Sequence, residues 1–151
     1  MRILIIYASI HHGNTEKIAR AIADEMGADI VKARDVDVEK IKEYDVIGFG
    51  SGIYFFKHHK SILNLVDKLP ETAKDAFIFS TKGGTPDFIN HRALRKKLLS
   101  KGFRILSEFS CKGYDTYGIL RLIGGINKGK PGVKEIEKAR EFARKLKEML
   151  S

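Results

Sequence analysis

The chain packs 151 residues into 17.0 kDa, 43% of them hydrophobic and 31% charged with only three prolines, which makes a single domain over 1–151 with apolar material for a packed core. Its 28 Lys and Arg against 19 Asp and Glu leave a charge of +9, a field that draws acidic proteins or phosphorylated ligands; the basic residues are spread along helical stretches with no nucleic-acid motif, which argues against nucleic acid. One cysteine, Cys111, excludes an intrachain disulfide and a cysteine-based metal site, and the apolar run 3–8 falls far below the roughly 18 residues of a membrane span, so a cytoplasmic protein without span or signal peptide is expected.

In chain order, short β-branched runs alternate with longer amphipathic stretches, the pattern of a parallel sheet covered by helices. Residues 2–8 are apolar on both faces, as a central parallel strand requires. They lead into a helix from Glu16 that turns Ile18, Ala21, Ile22 and Met26 inward and stops at Gly27. Further strands are expected at 29–32, 45–50, 76–80 and 104–110, with helices centred on Ile62 to Leu69 and Ala93 to Leu99. A last helix, 133–150, sets Ile136, Ala139, Phe142, Ala143, Leu146 and Met149 on one core-facing stripe. Five strands joined by right-handed crossovers predict an α/β, doubly wound parallel sheet of order 2-1-3-4-5 with helices on both faces. Such sheets bind ligands at the carboxyl ends of their strands, here in the loops after strands one, three and four.

The first loop, Ser9-Ile10-His11-His12-Gly13-Asn14-Thr15, gathers hydroxyls, an amide and a glycine at a helix start. Outward N–H groups and the helix dipole suit an anion there, and Ser9 and Thr15 can donate to phosphate oxygens. An Asn14 N-cap over a solvated loop is the plainer reading, but it accounts for one polar residue and not for the cluster. The second loop, Gly48 to Tyr54, has three glycines that let backbone approach a flat ligand and a tyrosine that can stack on it. The third, Thr81-Lys82-Gly83-Gly84-Thr85, offers bare N–H groups and hydroxyls to the polar edge of a heterocycle. Tyr54, Phe55 and Phe56 in succession can stack on a ligand, cover a dimer contact or enter the core.

These residues resemble the flavodoxin-like FMN-binding proteins over essentially the whole chain. Tyr7-Ala8-Ser9 followed by Gly13-Asn14-Thr15-Glu16 is similar to the family's strand, hydroxyl-rich phosphate loop and helix. Gly50-Ser51-Gly52-Ile53-Tyr54 resembles the stretch that lines the isoalloxazine, often with proline where Gly52 stands, and 81–85 resembles the third loop flanking the ring. The resemblance thus implies FMN as cofactor, held by Ser9, His11, His12, Gly13, Asn14, Thr15, Ser51, Gly52, Ile53, Tyr54, Thr81, Lys82, Gly83, Gly84 and Thr85, with no catalytic side chain of the protein's own. Two departures stand out. The first loop is one residue longer than the common short form, with His11 and His12 where a hydroxyl is usual, so that a histidine proton would make phosphate affinity depend on pH. Electron carriers of the family are typically acidic, whereas this chain has Lys57, His58, His59, Lys60 and Lys82 near the expected ring, a charge that favours the anionic reduced flavin and an acidic redox partner.

The resemblance implies an electron-transfer flavoprotein working with a redox partner protein or a small-molecule acceptor. A quinone or NAD(P)H-linked reductase, a flavodoxin-type protoporphyrinogen oxidase, and a flavin-free protein that uses its basic face for a partner are the alternatives. Residues 111–120, with Tyr114, Asp115 and Tyr117, either cover the ring or continue the edge strand. Other site chemistries fail on their residues. A phospho-receiver needs an aspartate where Gly50-Ser51 stand, and a nucleophile elbow on Ser51 needs glycine in place of Phe49. A C-x5-R loop from Cys111 meets Tyr117, and Gly13 lacks the Lys-Ser of a P-loop.

Overall fold

The computed structural model describes residues 1–9, 13–82, 85–112 and 132–151. Strand β1 (Ile3–Ala8) lies near the middle of the sheet, paired in parallel with β2 (Asp29–Lys32) on one side and β3 (Val46–Tyr54) on the other. Beyond β3 lie β5 (Asp75–Lys82) and β6 (Arg104–Lys112), so the parallel order is β2-β1-β3-β5-β6. That is the expected order 2-1-3-4-5 once a two-residue strand, β4 (Lys57–His58), is set aside. β4 pairs antiparallel with the end of β3 and was absent from the sequence reading.

The period-2 alternation of the strands builds two cores. Ile3, Ile5, Tyr7, Phe77 and Phe79 face α1 (Asn14–Met26) and α5 (Val133–Leu150). Leu4, Ile6, Ile47, Phe49 and Ile78 face α2 (Lys60–Lys68) and α4 (Arg92–Ser100). α1 buries Ile18, Ala21, Ile22 and Met26 as expected and ends on Gly27 at φ 63°, a left-handed cap suited to glycine. In α5 the stripe holds for Ala139, Ala143 and Leu146, with Ile136 and Phe142 packed against them. Met149 departs from it: it is 59% exposed, and Leu150 packs on the core instead. Among the described residues no helix is long and apolar enough to cross a membrane.

Of the boundaries that differ from expectation, three move a site residue. β3 runs four residues past Gly50, so Ser51 to Tyr54 belong to a strand and not to a loop. β5 likewise takes in Thr81 and Lys82. α1 starts at Asn14 rather than Glu16, and its N-cap is Gly13 at φ 62°, with no side-chain cap bond; Asn14 is therefore the first helical residue and not the cap. Gly48 and Gly50 also serve another purpose than ligand approach. A Cβ at Gly48 would stand 2.3 Å from Phe77 Cζ, and one at Gly50 2.2 Å from Phe79 Cε2. The two glycines make room for core aromatics of the neighbouring strand.

Candidate functional site

The carboxyl ends of β1, β3 and β5 meet at one edge of the sheet, and their polar residues are joined there. Thr15, in the first turn of α1, is buried and its Oγ1 lies 3.0 Å from Thr81 Oγ1 at the end of β5, which ties the first and third loops across the top of the core. The first intrahelical bond of α1 runs from the Lys17 N–H to the Gly13 carbonyl, 3.1 Å, so the N–H groups before it have no carbonyl inside the helix. In the loop that leads from β1 to this helix start, the Ser9 hydroxyl is buried and has no hydrogen-bond partner among the described residues. A buried donor without a partner next to a helix N-terminus is a fit for an anion such as phosphate. Below it Tyr7 donates to Glu16 Oε1 at 2.7 Å; burial and the carboxylate push the Tyr7 phenol up to about 12, and the Tyr7 bond lowers Glu16. Glu16 is thereby held on the strand, aided by Arg20 at 3.5 Å.

The second wall is a hairpin rather than a loop. Ser51 is fully buried and its hydroxyl is committed to the hairpin root, donating to the Gly52 carbonyl at 2.6 Å and accepting from the His59 N–H at 2.8 Å. Ile53 and Tyr54 are half-buried and pair with His58 and Lys57. The Tyr54 ring meets His59 edge-on at 5.4 Å, and its hydroxyl sits over Gly52, where a Cβ would come within 3.1 Å. Phe55 and Phe56 form the turn and are exposed, so the core is not their destination. His59 accepts from the Ser61 N–H through Nδ1 and caps α2; burial lowers its pKa.

The third wall is stapled from below. Lys82 Nζ donates to the Thr85 carbonyl at 2.9 Å and lies 2.6 Å from Asp87 Oδ1. Asn90, fully buried at the end of the short helix α3 (Asp87–Asn90), donates to the Thr85 carbonyl and to its Oγ1. Lys82 is thus a paired cation. The structure therefore brings together Ser9, Gly13, Asn14, Thr15, Gly52, Ile53, Tyr54, Thr81, Lys82 and Thr85, and turns the Ser51 side chain away into the root. His11, His12, Gly83, Gly84 and most of the 111–120 segment lie outside the described residues. Cys111 itself is a buried end-of-strand residue whose thiol burial pushes up to about 12, which makes it inert.

A polar network beneath this edge escaped the sequence reading. His91 is fully buried, with Nε2 2.7 Å from Ser80 Oγ and Nδ1 2.8 Å from Glu108 Oε1. Arg95 holds Glu108 with two bonds of 2.7 Å. Burial opposes the Glu108 charge, but the bonds from His91 and Arg95 outweigh it and hold the carboxyl down at about 2. His58 lies beside His91, ring centroids 5.0 Å apart, with Nε2 3.0 Å from the Phe79 carbonyl; burial pushes it down to about 4. The only signal in the sequence was Glu108, a carboxylate inside an otherwise apolar strand. A separate polar groove of about 710 Å³, lined by Asp45, Lys74, Asp75 and Arg104 among others, lies at the opposite end of the sheet where the strands begin.

Comparison with known proteins agrees with the fold. A family model described as a flavodoxin domain matches residues 4–119. An uncharacterized protein of Methanocaldococcus jannaschii is 57% identical over 149 residues, covering 97% of this chain and 98% of its own. Among solved structures, a flavodoxin from the domain Archaea superposes with a TM-score of 0.74 at 16% identity, over 99% of this chain and 98% of that one. Flavodoxin 1 from Bacillus cereus gives 0.72 at 16% identity, over the whole of both chains. These likenesses show the fold.

Proposed function

Because the chain belongs to the flavodoxin domain family, we propose that it binds FMN at the carboxyl ends of β1, β3 and β5 and works as an electron-transfer flavoprotein. The observation that carries this reading is the start of α1, where the loop leading in from β1 holds the buried, partnerless Ser9 hydroxyl and the first turn holds Thr15, tied to Thr81. Ser9, Thr15 and the backbone around Gly13 and Asn14 would hold the phosphate, with His11 and His12 as further donors. Gly52, Ile53 and Tyr54 on the hairpin and Thr81 to Thr85 on the third loop would flank the ring, Ser51 acting only by fixing the hairpin. The flavin supplies the redox chemistry when bound. The protein's part is to clamp the phosphate, orient the ring between two walls that share a hydrogen-bonded root, and set the local charge.

Lys57 and Lys60, both exposed, favour an acidic redox partner at this edge. Reconstituting the purified protein with FMN and titrating it anaerobically with dithionite tests the reading. One flavin retained per chain through gel filtration, bleached by the reductant and restored by a chemical oxidant, is the expected result. A chain that retains no flavin would overturn it.

A further inference from the structure

Three serines stand in register across the sheet: Ser51 of β3 lies opposite Ser80 of β5, and Ser80 opposite Ser110 of β6. The next row toward the carboxyl ends holds Gly52 and Thr81, so the serines lie one row below the candidate site. By the period of two, Ser51 and Ser80 share the face of Phe49 and Ile78, which the α2 and α4 side of the core covers. A parallel strand buried there reads as apolar, and the serines break that rule. Each hydroxyl is committed to a segment outside the strands: Ser51 accepts from the His59 N–H, Ser80 bonds His91, and Ser110 donates to Asp87.

The middle serine reaches the best-held partner. His91 closes α3 and opens α4, its N–H on the Asp87 carbonyl and its own carbonyl accepting from the Arg95 N–H, both at 2.8 Å. Its ring is fully buried between Ser80 Oγ and Glu108 Oε1. Glu108, held down at about 2 by His91 and Arg95, is an ionised carboxylate that only accepts, so Nδ1 of His91 carries the proton. In the neutral ring Nε2 then accepts from the Ser80 hydroxyl. Apolar side chains of the same volume often stabilise a core as well as a buried ionic network does, so stability alone does not account for this one. What the network adds is a single geometry at the third wall. Thr81 follows Ser80 and bonds Thr15, while Thr85 is held by Asn90, the residue before His91, through bonds of 3.0 and 2.6 Å. Both ends of the wall therefore run to His91, one through the Ser80 hydroxyl and the other along the backbone of Asn90.

We propose that His91 is a positioning residue of the ligand site: pinned between Ser80 and Glu108, it holds the two ends of the third wall, Thr81 and Thr85, in fixed relation without touching the ligand. This role rests on the FMN reading above and belongs to the ring side of the site. The phosphate side, at the start of α1, stands on other elements.

The parent, S80A, H91F and the double variant, each loaded with FMN, test it. The expected result is an FMN Kd about tenfold higher in each single variant, from fluorescence titration. S80A/H91F should be no weaker than H91F, since both changes remove the same link. Visible circular dichroism of the bound flavin, which reads the surroundings of the ring, should change, while the phosphorus NMR resonance of the bound FMN stays in place. A lowered Tm with the Kd and the visible spectrum of the parent would mean that the network serves stability alone, and would overturn the proposal. So would a displaced phosphorus resonance with an unchanged visible spectrum, which would put the effect on the phosphate side. S80A removes one hydroxyl and decides between these outcomes even where H91F does not fold. A parent that retains no FMN is the distinct failure of the flavin reading itself, and this role would fall with it.

Discussion

Gly48 and Gly50 show how a residue is misread when its neighbour across the sheet is unknown. In the sequence they belong to a glycine-rich stretch beside a tyrosine, the pattern of a ligand loop; in the structure Phe77 and Phe79 occupy the space their side chains would need. The same composition answers both demands, because a glycine admits a ring whether that ring is a ligand or a core phenylalanine. Gly48→Ala should therefore destabilise the fold by about 2 kcal/mol through overpacking, more than offsetting the roughly 0.5–1 kcal/mol of backbone entropy that alanine saves. A urea midpoint lowered at constant slope checks it. Thr15 is the opposite case. Its place next to Gly13 and Asn14 was legible, and its bond to Thr81, 66 residues away, joins the start of α1 to the end of β5. Asn14 was legible as a helix-start residue but not as N1 rather than N-cap, a distinction that depends on the left-handed Gly13.

Elements long enough to show a period were found, and those too short were not. β1, α1 and α5 span 6, 13 and 18 residues and declare themselves by alternation or by a 3.6-residue stripe. β4 has two residues and α3 four, below any period, yet they carry His58 and Asn90 and complete the walls of the site. The buried network was invisible for a related reason: Ser80, His91, Arg95 and Glu108 come one at a time from β5, the junction of α3 and α4, α4 and β6. It gives the fold an acid limit. His58 has its folded pKa lowered from 6.5 to about 4, so the unfolded chain binds the extra proton in that window. Stability is full above pH 6.5 and falls, by up to about 3 kcal/mol, as pH drops toward 4. Glu108, lowered from 4.5 to about 2, continues the loss in the same direction below pH 4.5. Denaturation midpoints measured between pH 7 and 4 should follow this slope, and His58→Phe should flatten it by removing the titrating group.

For the whole molecule the sheet order expected from alternation and right-handed crossovers is the parallel order found. Charge did not transfer so simply. Of the five basic residues near the edge, Lys82 is paired with Asp87, His58 is neutral at pH 7 because burial holds it down to about 4, and burial lowers His59 as well. Lys57 and Lys60 remain as exposed cations. A unit charge about 8 Å from a developing negative charge is worth roughly 2 kcal/mol at an effective dielectric near 20, before solvent screening reduces it. K57Q/K60Q should accordingly make the second reduction potential of the FMN-loaded protein more negative by tens of millivolts at low salt, converging with the parent as ionic strength rises. Spectroelectrochemistry at two salt concentrations reads this directly.

FMN and riboflavin differ by the phosphate that the proposed site at the start of α1 would hold, so titrating the flavin-stripped protein with each, by quenching of flavin fluorescence, bears most directly on the site. Two or more charge-assisted hydrogen bonds from this region predict FMN binding at least about a hundredfold tighter than riboflavin. Equal affinities, or no binding of either flavin, would contradict a phosphate site at Ser9, Gly13, Asn14 and Thr15.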